Sequence, residues 1–184
     1  MVKLADFGLA RYDTIPMKGY TNEVITLWYR PPEVLLGSRK YSGEIDMWSV
    51  GCIMAELLLA KPLFMGQNEE EQLSAIFSIL GLPTPEEWPD LELLPEWSKF
   101  DLKLERNDEE FENLLNRCDG DALDLIMKML SCNPENRITA REALTHEWFY
   151  SQEEAPSQDS PPKAPRGRGA QKEVYMADNL SDEF

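Results

Sequence analysis

Two stretches, Trp28-Tyr29-Arg30-Pro31-Pro32-Glu33 and Asp46-Met47-Trp48-Ser49-Val50-Gly51, decide how the chain folds. The second lies in a segment, Ile45 to Leu59, that is apolar nearly all round, with Trp48, Val50, Ile53, Met54, Leu57 and Leu58. That pattern predicts a buried central helix. Its most apolar part, Val50 to Ala60, is broken by Glu56 and falls well short of the ~18 residues needed to span a bilayer.

More helices follow on the C-terminal side. Asn68 before Glu69-Glu70-Glu71 supplies a cap, a capping-box acid and negative charge for a helix N-terminus. Leu73, Ile76, Phe77 and Leu80 then repeat at helical spacing, and Gly81 stops the run. A third helix carries Leu125, Ile126, Met129 and Leu130 on one face and ends before Asn133-Pro134. A fourth opens at the capping box Thr139-x-x-Glu142 and runs through Ala143 and Leu144. Strand-like alternation is confined to the opening residues, so the body is predicted to be mainly α-helical.

Composition agrees with a folded body and a tail. Of 184 residues, 42% are hydrophobic, enough for a core. The net charge is -16, from 34 acidic and 18 basic residues, which argues against direct binding of nucleic acid or an anionic membrane. Residues 151–184 shift to Ser, Gln, Pro, Gly and charge, the composition of a flexible tail. Cys52, Cys118 and Cys132 form no C-x-x-C pair, so neither a zinc site nor a disulfide framework is expected. His146, the single histidine, closes an apolar pattern and reads as structural. No signal peptide is visible at the start, and the expected setting is intracellular.

Asp6-Phe7-Gly8 carries the first chemistry. A carboxylate on a turn after a short strand can bind the Mg²⁺ that bridges nucleotide phosphates, while the aromatic packs inward and the glycine permits the turn. Downstream come Trp28 to Glu33, Asp46 to Gly51, and Arg137 within Asn133-Pro134-Glu135-Asn136-Arg137. In order, spacing and residue type these four landmarks resemble the C-terminal lobe of a protein kinase, from Leu4 to about Phe149.

The resemblance implies a partial kinase domain over residues 1–150, with an activation segment at 6–33 and a helical lobe at 42–150. Asp6 then corresponds to a Mg-ATP ligand. Glu33 and Arg137 correspond to a buried ion pair beneath the activation segment, and Asp46 to a helix aspartate that holds the catalytic-loop backbone. All three of these are structural roles. Tyr20-Thr21-Asn22-Glu23-Val24-Ile25-Thr26-Leu27-Trp28-Tyr29-Arg30 is similar to the activation segment of cyclin-dependent kinases. Thr21 matches the activating phosphothreonine, Arg11 a phosphate-binding arginine, and Ile25 and Arg30 the pocket for proline after the phosphoacceptor. A MAP kinase would have tyrosine where Glu23 stands. The run Tyr-Thr-Asn-x-Val-Ile-Thr-Leu-Trp-Tyr-Arg-Pro-Pro-Glu resembles the transcription-elongation branch, which phosphorylates the heptad repeats of RNA polymerase II with a K- or T-type cyclin. A cell-cycle or kinase-activating relative is the neighbouring alternative.

The resemblance thus implies ATP, Mg²⁺, a cyclin, Ser/Thr-Pro protein substrates and a nuclear location, with the cytoplasm as a further site. Before Asp6 there is no Gly-rich loop, β3 lysine or His-Arg-Asp loop. No catalytic residue is therefore assigned, and the 184 residues alone are expected to be inactive. A piece of a longer kinase is expected ahead of a non-catalytic lobe that binds partners and competes with the full enzyme. In such a lobe, apolar surface around Trp48 and Leu57 would lie bare. In the tail, Ser160-Pro161-Pro162-Lys163 fits a proline-directed phosphosite, and Arg166-Gly167-Arg168-Gly169 a small basic, solubilising patch.

Overall fold

The apolar run around Trp48 forms the longest helix, and the other elements are arranged on it. The computed structural model describes residues 3–10, 27–39, 42–100, 102 and 108–151. Among these, α1 is Pro32–Leu35, α2 Glu44–Leu59, α3 Glu69–Leu80, α4 Asp108–Arg117, α5 Gly120–Met129, α6 Ala140–Ala143 and α7 Trp148–Ser151. Short 3₁₀ turns occur at Phe7–Leu9, Leu27–Tyr29, Leu91–Leu93, Trp97–Lys99 and Pro134–Asn136. No strand occurs among the described residues, and the fold is mainly α. The chain divides into a unit Met1–Glu154 and a unit Ala155–Phe184, the latter outside the described residues.

α2 buries Met47, Trp48, Gly51, Cys52, Ala55 and Leu59. Gly51 is required for this packing, because a Cβ there would lie 2.8 Å from the Met129 Cβ of α5. Trp48 is fully buried and stacks on Phe64 with ring centroids 5.9 Å apart. Hence only half of the expected bare surface exists. Leu57 is 70% exposed, whereas Trp48 turns to the face that Phe64 and Arg137 cover.

The helix ends follow the caps. Asn68 Oδ1 accepts from the Glu71 N–H at 2.9 Å, and Leu73, Ile76 and Phe77 are buried beneath α3. α5 is capped by Asp119, whose Oδ1 accepts from the Ala122 N–H at 2.7 Å, and buries Leu125, Ile126 and Met129. α6 carries the complete Thr139–Glu142 capping box, with Leu144 as its C-cap. α4 is not evident in the sequence. Its run Asp108-Glu109-Glu110-Phe111-Glu112-Asn113-Leu114 is mostly acidic, yet Leu114 is fully buried against the main core. Tertiary contact through one or two apolar positions outweighs a weak periodic signal there. From Leu82 to Phe100 the chain runs mainly in turns, held by buried Trp88 and Leu91 and by Glu96 N–H donating to the Leu36 carbonyl at 3.0 Å.

Candidate functional site

Most residues from Trp28 to Glu33 are fastened to a different part of the scaffold. The Trp28 indole N–H donates to the Gly66 carbonyl at 3.1 Å. The Tyr29 hydroxyl donates to Glu56 Oε2 at 2.7 Å, and Ser49 Oγ of α2 donates to the Tyr29 carbonyl at 3.0 Å. The bond to Glu56, with burial and the Glu56 charge adding to it, pushes the Tyr29 phenol above its ordinary value. Gly66 admits no side chain, because a Cβ would sit 2.3 Å from the Gln72 backbone nitrogen. Its N–H donates to Gln72 Oε1 at 2.8 Å, which ties this loop to α3.

Pro31 is extended and Pro32 opens α1, which turns Glu33 inward. There it meets Arg137, with the two side chains 2% and 0% exposed. Arg137 Nη1 and Nη2 donate to Glu33 Oε1 and Oε2 at 2.8 and 2.9 Å, a fork on a carboxylate. The other donors reach backbone carbonyls: Nη1 to Glu44 at 2.8 Å, Nη2 to Cys132 at 3.4 Å and Nε to Ser131 at 3.0 Å. The guanidinium carbon also lies 5.1 Å from the Trp48 ring centroid. One side chain thus joins α1, the start of α2 and the turn after α5. With every donor satisfied, the desolvation of this charge is compensated. Glu44 is held below its ordinary value. Burial pushes it up, but the Ser42 hydroxyl, the Glu44 and Ser42 N–H groups and the Arg137 charge outweigh that. Burial pushes the Cys52 and Cys132 thiols beside this cluster up to about 12.

The other sequence-assigned residues are not gathered into this cluster. Arg30 Nη1 lies 3.9 Å from Glu69 Oε1 at the start of α3. Asp6 is exposed with a left-handed backbone (φ 61°), and its Oδ1 accepts from the Gly8 N–H at 3.3 Å. Residues 3–6 form no strand, and Phe7 does not pack inward. It is 70% exposed, since no described element covers it. Asp46 is exposed on the first turn of α2. Arg11, Thr21, Ile25 and Ser160 lie outside the described residues. His146 sits between α5 and α7, its Nε2 2.8 Å from Asp124 Oδ2 and its Nδ1 accepting the Trp148 N–H at 3.2 Å. Lys128 and His146 together hold Asp124 below its ordinary value. The Tyr29–Glu56 bond was legible only as the carboxylate that interrupts the apolar run of α2. The Gly66–Gln72 clamp left no signal of its own.

The sequence matches the family described as Protein kinase domain over residues 1–149. The chain belongs to the protein kinase family. Within it, the sequence is similar to cyclin-dependent and serine/threonine kinases. It is 47% identical over 148 residues to Cyclin-dependent kinase B2-1 of Oryza sativa subsp. japonica, covering 80% of this chain and 44% of that protein. It is 43% identical over 182 residues to serine/threonine-protein kinase ppk23 of Schizosaccharomyces pombe, covering 96% of this chain and 45% of that protein. Among solved structures it resembles a chain of the yeast RNA Pol II CTD kinase CTDK-1 complex, with a TM-score of 0.69 and 36% identity. That likeness covers 84% of this chain and 51% of the other. This kinase chain therefore spans about half the length of the relatives it matches.

Protein kinases use ATP with Mg²⁺. Among the described residues, no group of three or more His, Cys, Asp or Glu side chains could hold a metal ion. Asp6 offers one exposed carboxylate, short of the oxygen set Mg²⁺ takes from protein and phosphates together. The described residues therefore do not by themselves make a nucleotide site. What they build is a buried ion-pair scaffold that holds Trp28 to Glu33 in place. Also among the described residues, no helix is long and apolar enough to cross a membrane.

Proposed function

We propose that this chain is the helical part of a proline-directed serine/threonine kinase of the cyclin-dependent type, acting on nuclear substrates such as the RNA polymerase II repeat. The observation that carries the reading is the buried Glu33–Arg137 fork beneath Trp28 to Glu33, which anchors the C-terminal end of the activation segment. The structural likeness to a chain of the CTDK-1 complex supports the polymerase-repeat branch, as does the Pro31-Pro32 pair. In this reading Thr21 receives the activating phosphate, which adds about -1.5 to -2 charge for Arg11 to bind. Ile25 and Arg30 shape the pocket for the substrate proline, Asp6 binds Mg²⁺-ATP, and a K- or T-like cyclin is the partner.

A second reading is favoured by the exposed apolar residues of α2: a non-catalytic lobe that binds partners. The two are separated by isolating the native protein from its own cells, then measuring its mass and its transfer of phosphate from ATP to a heptad-repeat peptide. The kinase reading expects transfer that Thr21→Ala lowers by at least about tenfold, through loss of the loop-ordering charge. A native protein that transfers no phosphate, yet is captured by partners, overturns it in favour of the second. The 184-residue chain alone is expected to turn over no ATP, and turnover abolished by Asp6→Ala would contradict that.

A further inference from the structure

His146 is the single histidine of the chain, and its bonds fix where the ring carries its hydrogen. Nδ1 accepts the Trp148 N–H at 3.2 Å, and the His146 carbonyl accepts the Phe149 N–H at 3.1 Å. The residue therefore caps the start of α7, supplying acceptors that the first turn of a helix lacks. A backbone N–H can only donate, so Nδ1 must be bare. In the neutral ring the hydrogen is then on Nε2, which donates it to Asp124 Oδ2 at 2.8 Å. Lys128 Nζ, 3.4 Å from that Nε2, finds no acceptor there and is held instead by Asp124 Oδ2 at 2.6 Å.

A second proton has only Nδ1 to occupy, and there it would face the Trp148 N–H, donor against donor. The cap and the imidazolium therefore exclude each other. The charges around the ring pull the other way, toward the cation. It lines an open cleft of about 650 Å³ together with Asp121, Asp124 and Lys128 of α5, Glu135 of the turn that follows, Glu142 of α6 and the adjoining Glu147. Arg137 reaches the same cleft but is engaged by Glu33. Five carboxylates thus surround the ring against one ammonium, and nearby negative charge favours the protonated form. The His146 side chain is only 8% exposed, yet the cleft gives water a way to it. We infer that His146 is a pH-sensitive latch on α7, in which the neutral ring caps the helix and the imidazolium releases it.

The direction of the switch follows from counting protons. The released state binds one more than the capped state, so acid favours release and base favours capping. Imidazole is the side chain whose charge changes between about pH 5 and 8, which places the change near physiological conditions. What the latch controls is the seat of α7, whose Trp148 packs against the cluster of Met47, Leu125, Met129 and Ala143. All of these groups belong to the chain itself, and the inference does not rest on the kinase assignment.

Imidazole-nitrogen NMR of the 184-residue chain, isotopically labelled at histidine alone, reads this one ring, and amide hydrogen exchange reads α7. The expected result at about pH 8 is the neutral ring with its hydrogen on Nε2. As the pH falls to about 5, the ring gains its second proton and the protection factors of the Trp148, Phe149 and Tyr150 amides drop at least about tenfold. Those of Leu73 and Ile76, buried on α3, stay unchanged. His146→Asn, whose side-chain oxygen accepts the same N–H without titrating, keeps α7 protected at both pH values. A neutral ring with its hydrogen on Nδ1 overturns the inference, as does a ring that takes up no proton in this window. So does a ring that titrates while α7 stays protected, or equal loss of protection in His146→Asn. Loss of protection on α3 together with α7 also overturns it, because the change is then global unfolding and not a latch.

Discussion

Arg137 concentrates more structural consequence than any other described residue, because its five N–H groups all end on acceptors within one small volume. Removing one partner leaves the other as a buried, uncompensated charge, so Arg137→Ala or Glu33→Ala is expected to destabilise the chain by about 3–5 kcal/mol. Urea unfolding of each variant checks this, and the pair together should cost less than the sum of the two. Arg137→Lys is also damaging, since an ammonium cannot form the fork. The thiols beside the cluster give a chemical readout of the same packing. Cys52 and Cys132, pushed up to about 12 by burial, hold almost no thiolate at neutral pH. Cys118 is also raised, first by burial and then by Asp119, but it is only half-buried. An aromatic disulfide reagent at pH 8 should therefore label Cys118 first, and label all three only in denaturant.

At the scale of elements, caps and close approaches decide which sequence signals become structure. The Thr139–Glu142 capping box and the Asn68 cap were legible because each uses a short polar residue before an apolar repeat. Thr139 forms both bonds of its box, whereas Asn68 forms the cap bond and Glu71 reaches back to the Gln67 N–H instead of the Asn68 N–H. Thr139→Ala is expected to cost about 1 kcal/mol, read as a shift in the urea midpoint. The landmark segments were legible too, since their residue order alone carried the resemblance. α4 and the turn-rich chain from Leu82 to Phe100 were not, because their burial rests on single side chains such as Leu114, Trp88 and Leu91 that meet distant partners. The Gly66 clamp was hidden for a related reason: backbone-to-backbone proximity has no periodicity. Gly66→Ala, which puts a methyl against the Gln72 backbone, is expected to cost about 1–3 kcal/mol by overpacking and to loosen the Trp28 contact, seen as a change in Trp fluorescence. Phe7 was misjudged, because an inward-packing aromatic needs a neighbour that the described residues do not place over it.

Across the whole molecule, the pH dependence follows from three carboxylates whose ordinary values of 4.5, 3.8 and 4.5 are lowered in the fold: Glu44, Asp124 and Glu142. A depressed carboxylate contributes stability above its unfolded value and loses it as pH falls through the folded one. The chain is expected to show a lower urea midpoint at pH 3 than at pH 7, and an unchanged or higher one would contradict that. The described helices and the buried fork belong to one architecture, in which α1, the start of α2 and the turn after α5 are tied together beneath Trp28 to Glu33. The most direct test uses the native protein from its own cells, with ATP and two peptides: a heptad-repeat sequence, and the same sequence with alanine for each proline. Phosphate on the first peptide and not on the second is the predicted result. Equal transfer to both, or transfer to neither, would contradict the assignment of a proline-directed kinase.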